Sequence, residues 1–301
     1  MQIYQTLSMR FMTQNSTAGT GVNLPSSPLK LAFIGGGNMA SALASGLIGK
    51  RCGAQDVLIV DPHEPTRQRW ADQGVGVAVA ADERLCHQRI WVLAVKPQVL
   101  RDTVQACRPF LQPDTLVISV AAGIDSTTLS RWLGTDNTPW GRLIRCMPNT
   151  PALVGEGAAG LLALPGVDAE DKAVAERMFA AVGTYVWVAD DAAIDAVTAL
   201  SGSGPAYVFL FLEAMIKGGL RLGLDAEQSR KLALATVQGA TQLAGLSPET
   251  PTQLRDRVTS KGGTTAAALG VLESEGFSGT VIKAMQAAAK RAAELSKEFG
   301  G

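Results

Sequence analysis

Three consecutive glycines, Gly35, Gly36 and Gly37, separate a short apolar run from a segment that favours a helix. In this setting Gly35 permits a tight turn, Gly37 lets the backbone approach a phosphate, and Ala40 lets the helix pack closely against the preceding strand. The free N–H groups at the start of the helix then face an anion. The pattern G-x-G-x-x-A therefore favours binding of a dinucleotide, and a plain tight turn is the alternative.

An acidic residue at the end of the second apolar run fits the same interpretation. Asp61 stands at the distance from the glycines at which a carboxylate accepts hydrogen bonds from ribose hydroxyls, which favours NADH. His63, Arg67 and Arg69 follow it and could instead bind the 2′-phosphate of NADPH. Asp61 could equally cap a helix that begins near Glu64. The sequence predicts a nicotinamide cofactor, NADPH or NADH, and leaves the choice open.

A second candidate binding segment combines hydroxyls with a glycine pair. Residues 259–265 read Thr-Ser-Lys-Gly-Gly-Thr-Thr and directly precede an alanine-rich segment that favours a helix. Successive backbone N–H groups at the helix start, supported by the hydroxyls of Ser260, Thr264 and Thr265, can hold a small carboxylate without a charged side chain. Because a simple capping loop requires neither two glycines nor four hydroxyls, we expect a site for a small anion here.

The elements that position these segments follow from the hydrophobic pattern. Apolar runs alternate with helix-compatible segments as far as residue 190, which predicts an α/β domain with a doubly wound, mostly parallel sheet and ligands at the carboxyl ends of its strands. Beyond this point Ala, Leu, Met, Lys and Glu dominate, which predicts an all-helical domain. We therefore divide the chain into a disordered extension at 1–27, a Rossmann-type dinucleotide-binding domain at 28–190 and a helical domain at 191–301.

Several further segments end strands or begin helices near the expected ligand edge. Lys96, just before the strand-stopping Pro97, either lines the cofactor site or extends to solvent as a capping charge. The small residues at 121–123 suit close passage of a flat nicotinamide ring, and two prolines stiffen the loop that presents Asn149. Residues 201–205 place a serine between glycines without the spacing G-x-S-x-G, so we interpret them as the packed start of a helix.

The segment 206–216 is apolar almost all round, and a helix without a polar face must be buried on every side. A domain of about 110 residues hardly encloses such a helix, so we expect a partner subunit to cover it. Burial within the one chain is the alternative.

Composition excludes several classes of protein. With 27 basic and 27 acidic residues and only 5% aromatic residues, the chain shows neither a basic surface nor a stacking platform for nucleic acid. The four cysteines form no C-x-x-C pair and the two histidines have no metal-ligand spacing, so we expect a reduced, cytoplasmic protein without a metal. No stretch of about 18 consecutive apolar residues indicates a bilayer span.

Six motifs occur together along residues 30–297: Phe33–Ala40, Ala94–Pro97, Ala121–Gly123, Met147–Pro151, Ser201–Tyr207 and Thr259–Thr265. In this order and approximate spacing they resemble the pyrroline-5-carboxylate reductase family. The resemblance implies NAD(P)H-dependent reduction of 1-pyrroline-5-carboxylate to L-proline, the last step of proline biosynthesis. It also implies a Rossmann domain followed by a helical domain for substrate binding and dimerisation, and homodimers that can assemble into decamers.

The resemblance and the residue patterns together assign roles to individual residues. The cofactor contacts are expected from Gly35, Gly36, Gly37, Asn38, Met39, Asp61, Ala94, Val95, Lys96, Pro97, Ala121, Ala122, Gly123 and Asn149. The substrate carboxylate is expected at Ser260, Gly262, Gly263, Thr264 and Thr265. Thr265 and Lys96 are the candidate catalytic residues, with the Thr265 hydroxyl bonded to the imine nitrogen. Two positions depart from many family members: Ala81 replaces an Asn, and Lys261 replaces a Pro.

Two other interpretations fit the same domain plan. A β-hydroxyacid dehydrogenase would need a lysine general base on the helical domain, for which Lys217 and Lys231 are candidates. A non-catalytic protein that senses NAD(P) would bind the cofactor without consuming it. Oxidation of NAD(P)H that depends on pyrroline-5-carboxylate would support the reductase.

Overall fold

The computed structural model describes residues 29–300, in which eight strands form one sheet. The strands are β1 (Leu31–Ile34), β2 (Val57–Val60), β3 (Gly76–Ala78), β4 (Ile90–Leu93), β5 (Leu116–Ser119), β6 (Leu143–Met147), β7 (Gly157–Ala163) and β8 (Gly183–Trp187). Their spatial order is β3-β2-β1-β4-β5-β6-β7-β8. The predicted doubly wound, mostly parallel sheet is confirmed, and the predicted disordered extension lies outside the described residues.

Helices cover both faces of the sheet. The helices that alternate with the strands are α1 (Asn38–Leu47), α2 (Glu64–Ala71), α3 (Pro97–Cys107), α4 (Ser126–Leu133) and α5 (Ala169–Ala180). Strand β1 is buried on both sides, because Leu31 and Phe33 belong to one cluster of buried side chains whereas Ala32 and Ile34 belong to another. This two-sided burial explains why the strands read as continuous apolar runs.

The sheet reverses direction after β6. Strands β6 and β7 are antiparallel, with Met147 opposite Gly160, whereas every other neighbouring pair is parallel. The start of β7 therefore lies beside the carboxyl end of β6. As a result the loop between them, which contains Asn149, stays at the edge where a ligand is expected.

The remaining described chain is helical, as predicted. It contains α6 (Asp191–Val197), a π-helical turn at Thr198–Gly202, α7 (Gly204–Arg221), α8 (Ala226–Leu246), α9 (Pro251–Arg257), α10 (Thr264–Ser274) and α11 (Phe277–Gly300). The described residues divide into two compact units, one at 208–280 and the other at 29–207 together with 281–300. The domain boundary at 190/191 stays a prediction.

Helix α7 is exposed in the single chain. None of its residues is buried, and Phe209, Leu210 and Phe211 expose 63%, 68% and 43% of their surface. The alternative that one chain buries this helix is therefore wrong. A helix this apolar needs another surface to cover it.

Candidate active site

The glycine turn joins β1 to α1, and its three positions are glycine for different structural reasons. Gly35 has a φ of +100°, and a Cβ there would lie 2.7 Å from the carbonyl oxygen of Ala94. A Cβ on Gly36 would lie 2.8 Å from the methyl group of Thr66. Gly37 has an ordinary φ of −73°, and a Cβ there would meet nothing within 4 Å. Packing within the protein thus explains Gly35 and Gly36, whereas the missing side chain of Gly37 leaves space for a ligand.

The start of α1 is free to bind an anion. Gly37 is its N-cap residue, and no side-chain hydrogen bond caps the helix. The first-turn N–H groups, beside Asn38 and Met39, therefore need acceptors, which a diphosphate supplies at the positive end of the helix dipole. The residues present fit the diphosphate of a dinucleotide.

Asp61 is bonded directly to this turn. Its carboxylate accepts hydrogen bonds from the backbone N–H groups of Gly36 (2.7 Å) and His63 (2.8 Å). Helix α2 begins at Glu64, as expected, but its N-cap residue is His63, so the interpretation of Asp61 as the cap is wrong. The carboxylate retains lone pairs for ribose hydroxyls, because each of its oxygens can accept more than one hydrogen bond.

Two arginines lie at the same corner of the sheet. The guanidinium of Arg67 donates to the carbonyl oxygen of Asp61 (2.8 Å). Arg69 donates to the carbonyl oxygen of Gly36 (3.0 Å) and to the hydroxyl of Ser41 (3.1 Å). The acid that favours NADH and the cations that favour NADPH thus surround one turn, at the end of the strand where a ribose is recognised in this architecture.

We expect Asp61→Ser to shift the ratio of kcat/KM for NADPH over NADH toward NADPH by about 1–2 kcal/mol, because the carboxylate that repels a 2′-phosphate is lost. Since Asp61 also holds the Gly36 N–H group, affinity for both cofactors should fall, and the ratio carries the information. Steady-state kinetics with both cofactors give it. Glu64→Ser, which removes an exposed carboxylate on α2, is the matched control. An unchanged ratio in Asp61→Ser means that Asp61 does not contact the ribose.

Lys96 and the segment 121–123 follow β4 and β5 at the same edge of the sheet. Lys96 is exposed and is the N-cap residue of α3, which has no side-chain cap. Ala122 is partly exposed, whereas Gly123 is buried with a φ of +72°. A Cβ on Gly123 would lie 2.9 Å from the Cβ of Leu295 on α11. Packing against α11 explains Gly123, and Ala122 is the residue of this segment that is open to a ligand.

Asn149 is buried, and its side chain is bonded at both ends. The amide nitrogen donates to the carbonyl oxygen of Ser201 (3.0 Å), and the amide oxygen accepts from the backbone N–H of Ala158 (2.8 Å). This side chain ties three segments of the protein together. Direct contact of Asn149 with the cofactor stays a prediction.

A tight turn precedes α10 in the helical unit. Gly263 is the N-cap residue of α10, no side chain caps the helix, and Gly262 has a φ of +74°. The N–H group of Gly263 donates to the carbonyl oxygen of Ser260 (3.0 Å). Within residues 29–300, the hydroxyls of Ser260, Thr264 and Thr265 form no hydrogen bond to another residue. An uncapped helix start with three free hydroxyls can bind a small anion.

The structure therefore gathers the expected cofactor residues at one edge of the sheet and the expected substrate residues at the start of α10. No group of three or more His, Cys, Asp or Glu side chains within the described part of the chain is placed to hold a metal ion. A doubly wound sheet with an uncapped helix start after a glycine turn, and an acid after the second strand, is typical of oxidoreductases that use a nicotinamide nucleotide.

Known proteins share both halves of this arrangement. Residues 191–295 match the family model for pyrroline-5-carboxylate reductase dimerisation, and residues 30–123 match that for NADP oxidoreductase, coenzyme F420-dependent. A pyrroline-5-carboxylate reductase from Pseudomonas aeruginosa is 42% identical over 90% of this chain and 98% of its own length. One from Pisum sativum is 43% identical over 88% of this chain and 96% of its own.

Solved structures agree. The structure of a pyrroline-5-carboxylate reductase from Coxiella burnetii has a TM-score of 0.81 at 37% identity and covers 90% of this chain and 99% of its own. The Plasmodium falciparum pyrroline carboxylate reductase with NADP bound has a TM-score of 0.79 at 31% identity and covers 89% and 98%. The chain belongs to the pyrroline-5-carboxylate reductase family. It is an NAD(P)H-dependent oxidoreductase of proline biosynthesis, as the resemblance implied.

Sequence reasoning missed two parts of this region. The interpretation of 201–205 as a helix start holds for α7, which begins at Gly204, but the π turn before it was not anticipated. Nor was Arg145, which is 2% exposed and pairs with Asp191 at 2.6 Å. The Arg145–Asp191 pair joins residues that lie 46 positions apart, and a local pattern gives no signal for it.

Proposed function

We propose that this chain reduces 1-pyrroline-5-carboxylate to L-proline with a hydride from NADPH or NADH, through two helix starts that no side chain caps. The start of α1, where Gly37 is the N-cap residue, binds the diphosphate of the cofactor. The start of α10, which directly follows Gly262 and Gly263, binds the substrate carboxylate. These two uncapped starts, at the positions expected for a dinucleotide and for a small acid, are the observation that carries the proposal.

The chemistry requires alignment more than activation. A protonated cyclic imine accepts a hydride readily, so the protein has to hold the two reacting carbons together and exclude water, while the cofactor supplies the hydride. We assign the Thr265 hydroxyl to the imine nitrogen and Lys96 to the cofactor, where its ammonium group interacts with the phosphates or ribose. Since a threonine hydroxyl is a weak acid, the imine nitrogen receives its proton mainly from water, or the substrate binds already protonated.

The test is cofactor oxidation measured with and without pyrroline-5-carboxylate, for NADPH and NADH separately. We expect consumption only in the presence of the substrate, with one proline formed for each cofactor oxidised. Cofactor binding without consumption would refute the proposal and support a sensing protein instead.

We further propose a homodimer in which a second copy covers α7, with five such dimers assembled into a decamer. Support comes from the match of 191–295 to a dimerisation model and from the exposed apolar face of α7. The helical run Asp191–Arg221 is long and apolar enough, by length and composition, to cross a bilayer. Because this run lies within the dimerisation match, we assign its apolar residues to the contact between subunits.

Phe209→Asp should convert the dimer to a monomer that retains its helical content. The substitution places a carboxylate in an apolar contact, which costs several kcal/mol unless the charge is paired. Light scattering gives the mass, and circular dichroism gives the helical content. Lys217→Asp, which changes a charged residue that pairs with Glu213 on the same helix (2.7 Å), is the control that should stay dimeric. A monomeric wild type would contradict the proposal.

We assign the protein to the cytoplasm. All four cysteines, Cys52, Cys86, Cys107 and Cys146, are free, and burial raises the pKa of the Cys107 thiol to about 11. Free thiols persist in a reducing compartment. Fractionation of cells that produce the protein tests this assignment.

A further inference from the structure

We propose that Asn149 is a positioning residue for hydride transfer: its side chain holds the π turn at 198–202 against the carboxyl end of β6 and thereby fixes the nicotinamide side of the cofactor site. The inference rests on the proposed reduction.

The order of the strands indicates which end of the cofactor lies beside which strand. Asp61 follows β2 and marks the adenosine end, while the glycine turn after β1 receives the diphosphate. Since β4, β5 and β6 lie on the other side of β1, the nicotinamide half extends toward the ends of these three strands. The loop with Asn149 directly follows β6.

Asn149 joins segments that are far apart in the chain. Its amide nitrogen bonds to Ser201, which lies 52 residues away, and its amide oxygen accepts from Ala158 at the start of β7. The side chain is only 8% exposed, so both bonds are shielded from competing water. A single amide therefore fixes the π turn to the edge of the sheet.

In the π turn, the carbonyl of Ser201 is free to accept this bond. The N–H group of Ser203 donates to the carbonyl oxygen of Thr198 (2.8 Å), five residues back, and the Tyr207 hydroxyl donates to the carbonyl oxygen of Ala199 (3.1 Å). The carbonyl of Ser201 has no partner four residues further on, because Pro205 lacks an N–H group, and it accepts from Asn149 instead. Single π turns within helices are frequent at functional sites.

The turn is held from both ends. Before it, the start of α6 is fixed by Asp191, whose carboxylate accepts from the buried Arg145 (2.6 Å) and from the Ser126 hydroxyl (2.6 Å). At its end, a Cβ on Gly202 would lie 2.6 Å from the terminal methyl group of Met147, so the side chain of Met147 on β6 packs against the backbone of the turn. Asn149 supplies the hydrogen bond that fixes this contact. Without it the turn remains in place at α6 but moves at the edge of the sheet.

The test uses Asn149→Asp and Asn149→Ala. Asp keeps an acceptor for Ala158 and replaces the donor with an oxygen that repels the Ser201 carbonyl, whereas Ala removes both bonds. Asn137→Asp makes the same chemical change at an exposed position and is the matched control. Each protein is mixed rapidly with pyrroline-5-carboxylate after saturation with cofactor, and cofactor oxidation is followed through one turnover.

We expect the single-turnover rate constant to fall about 10-fold or more in both Asn149 variants, since a displacement of about 1 Å is costly for transfer between aligned atoms. The amplitude and the Kd for the cofactor should stay near those of the wild type. A structural tie alone would lower the amplitude or Tm and leave the rate constant unchanged, which would overturn the inference. Weaker cofactor binding with an unchanged rate constant would also overturn it, by making Asn149 a direct contact. An inactive wild type would overturn the proposed function together with this inference.

Discussion

Gly37→Val should leave the protein folded and weaken its binding of NAD(P)H by about 100-fold. The backbone at Gly37 has a φ of −73°, which valine adopts, and a Cβ there meets no atom of the protein within 4 Å. The valine side chain would instead occupy the space before α1 in which the diphosphate approaches the N–H groups. Loss of one or two hydrogen bonds to a charged group, worth about 1.5–3 kcal/mol each, gives this decrease in affinity.

Gly35→Val is the informative counterpart. Gly35 has a φ of +100°, and a Cβ there would lie 2.7 Å from the carbonyl oxygen of Ala94, so this variant should lose stability as well as cofactor binding. Fluorescence titration with the reduced cofactor gives Kd, and thermal unfolding gives Tm. If Gly37→Val binds the cofactor as tightly as the wild type, the diphosphate does not lie at this turn.

The two substitutions with the second largest effect separate the roles of the loop before α10. Gly263→Val should raise KM about 10-fold or more, because its side chain collides with Ser260 and closes the turn that holds the carboxylate. Thr265→Ala should lower kcat more than it raises KM, because its hydroxyl acts on the imine nitrogen in the transition state. Thr265→Ser keeps the hydroxyl and should recover most of kcat. Cofactor affinity should stay near the wild-type value in all three variants.

A substrate analogue without the carboxylate, 1-pyrroline, sharpens this comparison. It should be a poor substrate for the wild type and lose little further activity in Gly263→Val, since the group that the turn binds is already missing. If Gly263→Val loses the same factor with both substrates, the turn is not a carboxylate site and the assignment of 260–265 has to be withdrawn.

Local patterns were sufficient to predict the elements that carry the expected cofactor residues. The run from Leu31 to Ala40 contains the strand, the turn and the helix start in ten consecutive residues, and each strand buried on both faces is visible as an apolar run. The order of strands from β3 to β6 then follows from the regular alternation of strands and helices.

Contacts between distant segments were beyond such patterns. The sequence offers no sign that Gly123 is a glycine because of Leu295, or that Asn149 bonds to Ser201, since these partners meet only in the folded chain. The reversal at β7 was not predicted either, because Gly157–Ala163 reads like any buried strand and an apolar run does not indicate the direction of its strand. Helix α7 is the opposite case. Its sequence alone predicted a partner, because apolar residues occur on every side of the helix.

The most direct test of the proposed reaction follows the hydride itself. NADPH and NADH, each carrying deuterium at the nicotinamide C4 position that is transferred, are incubated with the protein and pyrroline-5-carboxylate, and the product is analysed by mass spectrometry. We predict L-proline with one deuterium at C5, formed in equal amount to the oxidised cofactor, and much slower formation of this product with Gly37→Val at cofactor concentrations that only just saturate the wild type. Proline without deuterium, or oxidised cofactor without proline, would contradict hydride transfer from the bound nicotinamide to the imine carbon.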